Sequence, residues 1–454
     1  MDTIAAISTP LGYGGIAVIR ISGGNALPIA DALFTGVSRT DPPSSFAGYS
    51  CAYGKIVYEN EVLDECILTV YKAPRSYTGE DVVEISCHGG VFSAGQILKA
   101  IYSGGIRPAN PGEFTERAFL NGKTTLTQAE AVMDIISAKG QAELRSALKV
   151  RDGAVYRRIR GVINNLTEIL AALAVWADYP DDEDLDLLAG ETFNNIQSVI
   201  GSVEAELLSL TEGFTFGQLI KAGIPLVIAG KPNVGKSSIM NALSGANRSI
   251  VTDIPGTTRD VIENEIRIAD YTFRVFDTAG IHETEDVIER TGTELAKEKI
   301  IDAEIILAVF DSSGPLDTAD EAIIELTAND RAIAVLNKSD ISKGEDFSAV
   351  CKSYKKAVTL SAKTGEGFDR LTELICDVPA IGGAEIILNE RQNAAANAAV
   401  RLLREAGEAA ASGVPLDALT ILVNAALEKL LELTGESAQT AVTRSVFDNF
   451  CVGK

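Results

Sequence analysis

The residues with the plainest chemical potential lie mid-chain. Gly230-Lys231-Pro232-Asn233-Val234-Gly235-Lys236-Ser237 fits GxxxxGK[ST] and runs on into Ser238. It follows the apolar run Pro225–Ala229 and precedes a helix-like stretch, Ser238–Leu243. In such a loop, main-chain N–H groups cradle phosphate oxygens at a helix N-terminus. Lys236 then reaches the β- and γ-phosphates, and the Ser237 hydroxyl binds Mg²⁺. Four companions follow in chain order. Gly256-Thr257-Thr258-Arg259-Asp260 offers hydroxyls to Mg²⁺ and the γ-phosphate. Asp277-Thr278-Ala279-Gly280 closes a strand, with a carboxylate for the metal and an N–H for the γ-phosphate. Asn337-Lys338-Ser339-Asp340 ends a strand, and its last carboxylate can accept from both N1–H and N2–H₂ of guanine, which adenine lacks. Ser361-Ala362-Lys363 backs the base with a main-chain N–H. Each of these short motifs is a common surface turn. Five in order on one sheet specify guanine-nucleotide binding.

The hydrolytic apparatus is less standard. Many small GTPases carry Gln after the DTAG motif to position the attacking water; here the position is Ile281, which cannot hydrogen-bond. Glu283, Glu285, Asp286 and Glu289 lie just downstream, and most of these carboxylates are expected only to solvate a loop. Arg259 is a candidate catalytic arginine. Asn233 is placed to help hold a monovalent cation where an arginine finger would act.

Periodicity gives the elements that must position these groups. Residues 224–379 alternate short apolar runs (Pro225–Ala229, Thr272–Phe276, Ile305–Phe310, Ala332–Leu336, Ala357–Leu360) with helical segments, which predicts a parallel sheet wound by helices. Residues 126–221 predict helices broken by the acidic turn 178–184. Ile159, Val162, Ile163, Leu166, Ile169, Leu170 and Leu173 share one face there. The chain is helical again after about Pro379. The first 120 residues predict an α+β domain, with strands at Ile16–Ile21, Lys55–Val57, Cys66–Val70 and Val82–Ser86 and a helix near Ser93–Tyr102. The expected division is 1–120, 121–222, 223–379 and 380–454. The α/β module is then inserted into one helical domain.

Composition narrows the class. The 454 residues carry a net charge of −23, with 46% hydrophobic and 23% charged residues, an ordinary soluble balance. That charge repels phosphate backbones and disfavours a free-standing high-affinity nucleic-acid binder. Arg157-Arg158-Ile159-Arg160 reads as a solvated helix face. No run approaches the roughly 20 apolar residues of a membrane span, and residues 1–10 show no basic leader region. Six cysteines without CxxC spacing and two histidines argue against a zinc site or a disulfide framework. A reduced, cytoplasmic protein is expected.

With these motifs placed, the whole chain from Ile4 to Lys454 resembles the bacterial tRNA-modification GTPases of the MnmE (TrmE) family, of the TrmE-Era-EngA type. The likeness rests on Gly14–Gly23, on Tyr77–Val82 with His88-Gly89-Gly90, and on Pro111–Thr115 running into Arg117–Lys123. Gln128-Ala129-Glu130-Ala131 and the terminal Phe450-Cys451-Val452-Gly453-Lys454 complete it. The resemblance implies a dimerising N-terminal domain that binds 5-formyltetrahydrofolate or a related one-carbon folate, with Arg20, Glu80, Lys123 and Lys454 at the folate site. It implies K⁺-dependent hydrolysis triggered by pairing of G domains. Glu289 would orient water, Asn233, Thr252, Ile254 and Thr257 would surround K⁺, and Ser237 and Thr258 would bind Mg²⁺. The rest of the 252–258 loop, Asp253, Pro255 and Gly256, would line the nucleotide. A homodimer would work with the FAD-dependent partner MnmG as a heterotetramer. It would add an aminomethyl or carboxymethylaminomethyl group to the wobble uridine of certain tRNAs, bound with the partner's help, and Cys451 would take part.

Read from the residues alone, Arg20 is a surface cation, Glu80 a turn carboxylate, and Cys451 a buried thiol near Phe447 and Phe450. Thr125 stands where the family commonly has an acidic residue, Val452 replaces an Ile, and 177–185 is a variant acidic stretch. Two other readings are a ribosome-assembly switch, which would need a basic RNA-binding appendage not seen here, and a one-carbon transferase with an accessory nucleotide switch.

Overall fold

A computed structural model describes the chain except for residues 1, 38, 179–182, 246–263, 278–297, 343–345, 378–385, 413, 438–445, 449 and 454, and except for the side chains of 176–178, 183–195, 264 and 277. The described chain forms two compact units. One comprises 1–133, 150–208 and 390–454; the other comprises 134–149 and 209–389.

In the first unit, β1 (Ile4–Ile7), β2 (Ile16–Ser22), β3 (Phe34–Gly36), β4 (Ser50–Tyr58), β5 (Glu61–Tyr71), β6 (Val82–His88) and β7 (Arg107–Pro108) form one sheet in the order β3-β4-β5-β6-β2-β1-β7. All neighbours are antiparallel except β1 and β7. Alternation decides which face is covered. Ile19, Ile21, Leu68, Val70 and Ile85 point into a core shared with α1 (Ala26–Leu33) and α2 (Val91–Ser103), which add Leu27, Ala30, Ile97 and Ile101. Arg20 and Glu84 lie opposite each other on the other face.

Two short helices follow, α3 (Glu113–Leu120) and α4 (Leu126–Ser137), then α5 (Gln141–Arg151), α6 (Ala154–Asp178) and α7 (Glu183–Thr211). The predicted stripe of α6 is buried at Ile159, Val162, Ile163, Leu166, Ile169 and Leu173. It packs against the last long helix, Leu416–Thr434, which also packs on Glu390–Ala411. The helical segments before and after the α/β insertion are tied by a buried polar knot. Arg391 makes two bonds to the Glu130 carboxylate (2.6 and 2.9 Å) and donates to the Glu432 and Leu433 carbonyls, while Gln392 also donates to Glu130. Removing one member of such a pair typically costs about 3–5 kcal/mol, because the other charge is left buried.

The second unit holds α8 (Gly213–Ala222), β8 (Ile224–Ala229), α9 (Lys236–Gly245), β9 (Asn264–Ile268), β10 (Tyr271–Asp277), β11 (Ile305–Asp311), α10 (Thr318–Thr327), β12 (Ala332–Asn337), α11 (Ser348–Ser353), β13 (Lys356–Thr359) and α12 (Phe368–Cys376). The long helices of the first unit that follow are α13 (Glu390–Ala411) and α14 (Leu416–Thr434). The sheet order is β13-β12-β11-β8-β10-β9. Continuous apolar runs are buried on both faces: Leu226, Ile228, Leu307 and Val309 face one core, and Val227, Ala229, Ile306 and Ala308 face the other. The expected parallel sheet is present, and it carries one antiparallel strand at its edge. β9 pairs antiparallel with β10, and Glu265 and Arg267 interrupt its apolar pattern, which hides the strand from a search for apolar runs.

Residues 134–149, expected among the helical segments, belong to this second unit. They are strapped to the β9–β10 hairpin. Lys139 pairs with Glu265 at 2.6 Å, Arg145 with Asp270, the Ala142 N–H donates to the Asp270 carbonyl (3.1 Å), and the Thr272 hydroxyl donates to the Lys139 carbonyl (3.1 Å). Nor is the basic cluster in α6 merely solvated: Arg158 pairs with Glu206 and Arg160 with Glu436. All six cysteines are free thiols. Burial pushes the facing Cys66 and Cys87 up to about 12 and about 11. Among the described residues, no helix is long and apolar enough to cross a membrane.

Candidate functional sites

The phosphate loop bridges β8 and α9, and its backbone could not be built from arbitrary residues. Gly235 has φ +101°, and a Cβ there would stand 2.2 Å from Nδ2 of Asn337. Asn233 adopts φ +62°, a conformation Asn tolerates better than most side chains. Lys236 is buried, with its Nζ donating to the Gly230 carbonyl (2.8 Å) and the Lys231 carbonyl (3.0 Å). Ser237 and Ser238 are exposed at the start of α9.

Asn337 joins the phosphate loop to the base-reading loops. Its side chain is buried at the end of β12; Nδ2 donates to the Val234 carbonyl at 2.7 Å, and Oδ1 accepts from the Ala362 N–H at 3.0 Å. The amide thus satisfies a donor and an acceptor on two different loops. Replacing it would leave both unpaired, at about 1–3 kcal/mol each. Its own carbonyl accepts from the Ser312 hydroxyl (2.7 Å). Lys338 turns the chain with φ +66° and pairs with Asp311 at 2.6 Å. Burial would raise the Asp311 carboxyl, but Lys338 and two bonds from Ser313 bring it below its ordinary value. The Ser339 N–H donates to the Leu360 carbonyl (3.1 Å), and its buried hydroxyl has no partner among the described residues. Asp340 is exposed and takes one bond on Oδ1 from the Ser361 hydroxyl (2.7 Å). Lys363 is exposed in the same turn.

The sequence-predicted residues Asn233–Ser238, Asn337–Asp340 and Ser361–Lys363 therefore meet along the ends of β8, β12 and β13. Asp277 ends β10 in register with Ile228 of β8. Thr252, Asp253, Ile254, Pro255, Gly256, Thr257, Thr258, Thr278, Ala279, Gly280 and Glu289 lie outside the described residues.

A second polar cluster lies on the open face of the first unit's sheet. Arg20 binds Glu84 through Nε (2.8 Å) and Nη2 (2.7 Å), and its guanidinium lies 5.1 Å from the Tyr77 ring centre and 5.6 Å from that of Phe114. Glu80 accepts from the Ser22 hydroxyl (2.7 Å) and from Nη1 of the buried Arg117 (3.1 Å). Arg117 also pairs with Asp2 and Glu113. Arg107, then Arg117, hold the Asp2 carboxyl down at about 2. For Glu113, burial pushes upward, but bonds from Arg107, the Asn110 N–H and Arg117 win and lower it. Lys123 donates to the Pro74 carbonyl (2.9 Å), its stem lying against Gly79.

The last residues of the chain dock on this cluster. The Gly453 carbonyl accepts from Ser8 Oγ (3.0 Å) and Arg20 Nη1 (3.3 Å), and the Gly112 N–H donates to the Cys451 carbonyl (3.4 Å). Phe447 and Phe450 fill a pocket with Leu126 and Ala129. The residue-only expectation of a buried Cys451 is corrected: its neighbours take the apolar contacts and its thiol is exposed. Lys454 lies outside the described residues. The structure thus brings Arg20 to the residue before Lys454, and Glu80 to Arg117. Sequence reasoning missed Arg117, Glu84, Tyr77 and Phe114 as partners. Their one local signal was their presence in, or next to, the motifs around Tyr77 and Phe114.

Two family models match. The GTP-binding protein TrmE N-terminus covers residues 3–123, and the MnmE helical domain covers 126–451. Three similar proteins are each named tRNA modification GTPase MnmE. That of Carboxydothermus hydrogenoformans is 42% identical over 100% of this chain and 99% of its own. That of Acetivibrio thermocellus is 39% identical over 100% and 99%. That of Lactobacillus delbrueckii subsp. bulgaricus is 38% identical over 100% and 98%. On identity that runs the length of the chain, and on a helical-domain match spanning most of it, the chain belongs to the tRNA modification GTPase MnmE family.

Proposed function

We propose that this protein is a K⁺-stimulated GTP hydrolase that acts as a homodimer in the cytoplasm, with the FAD-dependent partner MnmG, to modify the wobble uridine of certain tRNAs. That it is a GTP hydrolase of tRNA modification follows from family membership. The observation that carries the nucleotide part is the Asn337 amide, bonded at once to the phosphate loop and to the turn beside Asp340. It fixes the spacing between a phosphate cradle and a guanine-reading carboxylate.

The donor set suits the ions this reading needs. Ser237 offers an exposed hydroxyl at a helix start and Asp277 ends β10 in register with Ile228; a hydroxyl and a carboxylate are hard oxygen donors of the kind Mg²⁺ prefers. Thr258 would complete them. Asn233, Thr252, Ile254 and Thr257 would hold K⁺, which supplies positive charge to the developing γ-phosphate oxygens. In comparable GTPases a supplied cation is worth roughly 10³–10⁵ in rate. Glu289 would orient the attacking water that Ile281 cannot hold. In the first unit, Arg20 and Lys123 carry charges suited to folate carboxylates, Glu80 is a hydrogen-bond acceptor, and Tyr77 and Phe114 are planar surfaces beside Arg20. Lys454 would join them, and Cys451 would act from the docked tail. The domain division 1–120, 121–222, 223–379 and 380–454 is part of the same proposal.

The test has two arms. Steady-state GTP turnover in matched KCl and NaCl buffers should be fast only in KCl and should rise per molecule as G domains associate; equal rates would overturn the cation part. Mass spectrometry of tRNA nucleosides from a deletion strain should show loss of a modified wobble uridine; an unchanged nucleoside profile would overturn the tRNA part.

A further inference from the structure

The second residue of the phosphate loop, Lys231, has no role in the motif that names the loop. Its side chain nevertheless turns away from the phosphate cradle to the start of α10. There Nζ binds Asp320 Oδ2 at 2.6 Å and Asp317 Oδ2 at 2.8 Å. The Asp320 side chain is only 3% exposed. It closes a reciprocal cap on α10: the Asp317 carboxylate accepts from the Ala319 and Asp320 N–H groups, and Asp320 accepts from the Asp317 N–H. A carboxylate so buried is held by charge pairing, and Lys231 is its cation. The second Asp320 oxygen has no hydrogen-bond partner among the described residues, so the pair with Lys231 carries most of the compensation.

The same residue's main chain faces the other way. The Lys231 carbonyl, with that of Gly230, accepts from Nζ of Lys236, the lysine expected to reach the β- and γ-phosphates. Lys231 is therefore clamped at one end by α10 and, at the other, holds the ammonium of the phosphate-binding lysine.

We propose that Lys231, latched by Asp320 and Asp317, is a positioning residue: it fixes the carbonyls that aim Lys236 and so sets the affinity of the loop for the β-phosphate. The inference rests on the nucleotide-binding reading above. A latch acting through Lys236 affects only ligands that carry a β-phosphate, whereas a merely structural contact affects every nucleotide alike.

The experiment is competition of GDP and GMP against a fluorescent guanine nucleotide, with the full-length protein. Lys231→Met alone would strand the buried Asp320 charge, so the variant of choice is Lys231→Met with Asp320→Asn, which removes both charges. GDP affinity should fall about tenfold, the size of one charge-assisted hydrogen bond, with GMP changed less than twofold. Lys231→Arg should restore GDP binding. Asp320→Asn alone keeps the side-chain volume and an acceptor for the cap, and it should reproduce the GDP-selective loss, so failure of the double variant to fold would not shelter the idea. Equal losses for GDP and GMP, or no loss of GDP in either variant, would overturn the latch. Failure of the unaltered protein to bind GDP would overturn the nucleotide reading instead.

Discussion

The two polar sites are built on opposite principles. In the second unit the joint between the phosphate loop and the turn beside Asp340 is one neutral buried amide, Asn337, whose two bonds are both to backbone, with the Lys231 and Lys338 ion pairs set to either side of it. In the first unit the cluster around Arg20 and Glu80 is a lattice of full charges: Arg20, Glu84, Arg117, Glu113, Arg107 and Asp2. A neutral joint is set by loop shape, so it is itself indifferent to pH and fails abruptly when a single donor or acceptor is mispaired. A charged lattice tolerates small displacements and answers to protonation. The difference would suit a site that reads one base, as proposed above, set against one that receives the end of its own chain.

The contrast can be broken at its strongest point by the docked tail. Cys451→Ser should abolish wobble-uridine modification in cells, while GTP turnover in vitro stays near its original rate; nucleoside mass spectrometry beside a phosphate-release assay reads both. Full modification by this variant would reduce Cys451 to a packing residue. A large effect is expected next at the base-reading carboxylate. Asp340→Asn should weaken GTP by about 10²-fold or more, since a site that pairs a ligand N–H strongly rejects a ligand that cannot pair, and it should gain xanthosine triphosphate in exchange. Unchanged GTP affinity in a fluorescence titration would remove Asp340 from the site. Smaller is the catalytic step: Glu289→Ala should slow turnover by at least about tenfold, or about 1.4 kcal/mol of barrier, with GTP affinity nearly unchanged. Asn233→Ala should erase the K⁺ response and leave a slow basal rate. Normal turnover by Glu289→Ala would move the water-orienting role elsewhere.

The smallest effect sharpens the contrast through pH. Asp2 and Glu113 have carboxyls lowered by their arginines, Asp2 to about 2. A carboxyl lowered in the fold adds stability that is complete above its ordinary range and drains as pH falls toward the folded value. Melting of the first unit should therefore weaken between roughly pH 4 and pH 2, as read by hydrogen exchange at β1 and β2. Asp2→Asn should make that loss shallower, and an identical acid profile would show the lattice to be inert.

Where the described residues cover it, the candidate nucleotide site was legible in the sequence because its motifs are local: each is a handful of residues at a strand end, and the sheet brings the strand ends together. What local motifs could not give was the Asn337 bond to Val234, which crosses 103 positions. The Arg20 cluster was less legible for the same reason. Its contacts join Arg20 to Glu84 and Gly453, and Glu80 to Arg117, and no spacing rule links such positions without the register of β2 on β6. Strand β9 was missed because a half-polar edge strand lacks the apolar run that marks a buried one. Cys451 was expected to be buried near Phe447 and Phe450, yet only the two phenylalanines are, since neighbouring residues of one short segment need not share a face.

The strap of residues 134–149 has a practical consequence for anyone who wishes to isolate the nucleotide-binding part. A fragment begun at 223 would sever Lys139, Ala142 and Arg145 from the β9–β10 hairpin and expose its outer rim, with Glu265, Asp270 and Thr272 stripped of their partners. That hairpin leads straight into Asp277, so slack introduced at the cut would be inherited by the end of β10. A faithful excision would carry 134–149 along, rejoined to 209–389 by a flexible linker; the shorter piece is expected to melt earlier and to understate the hydrolytic rate of the intact chain.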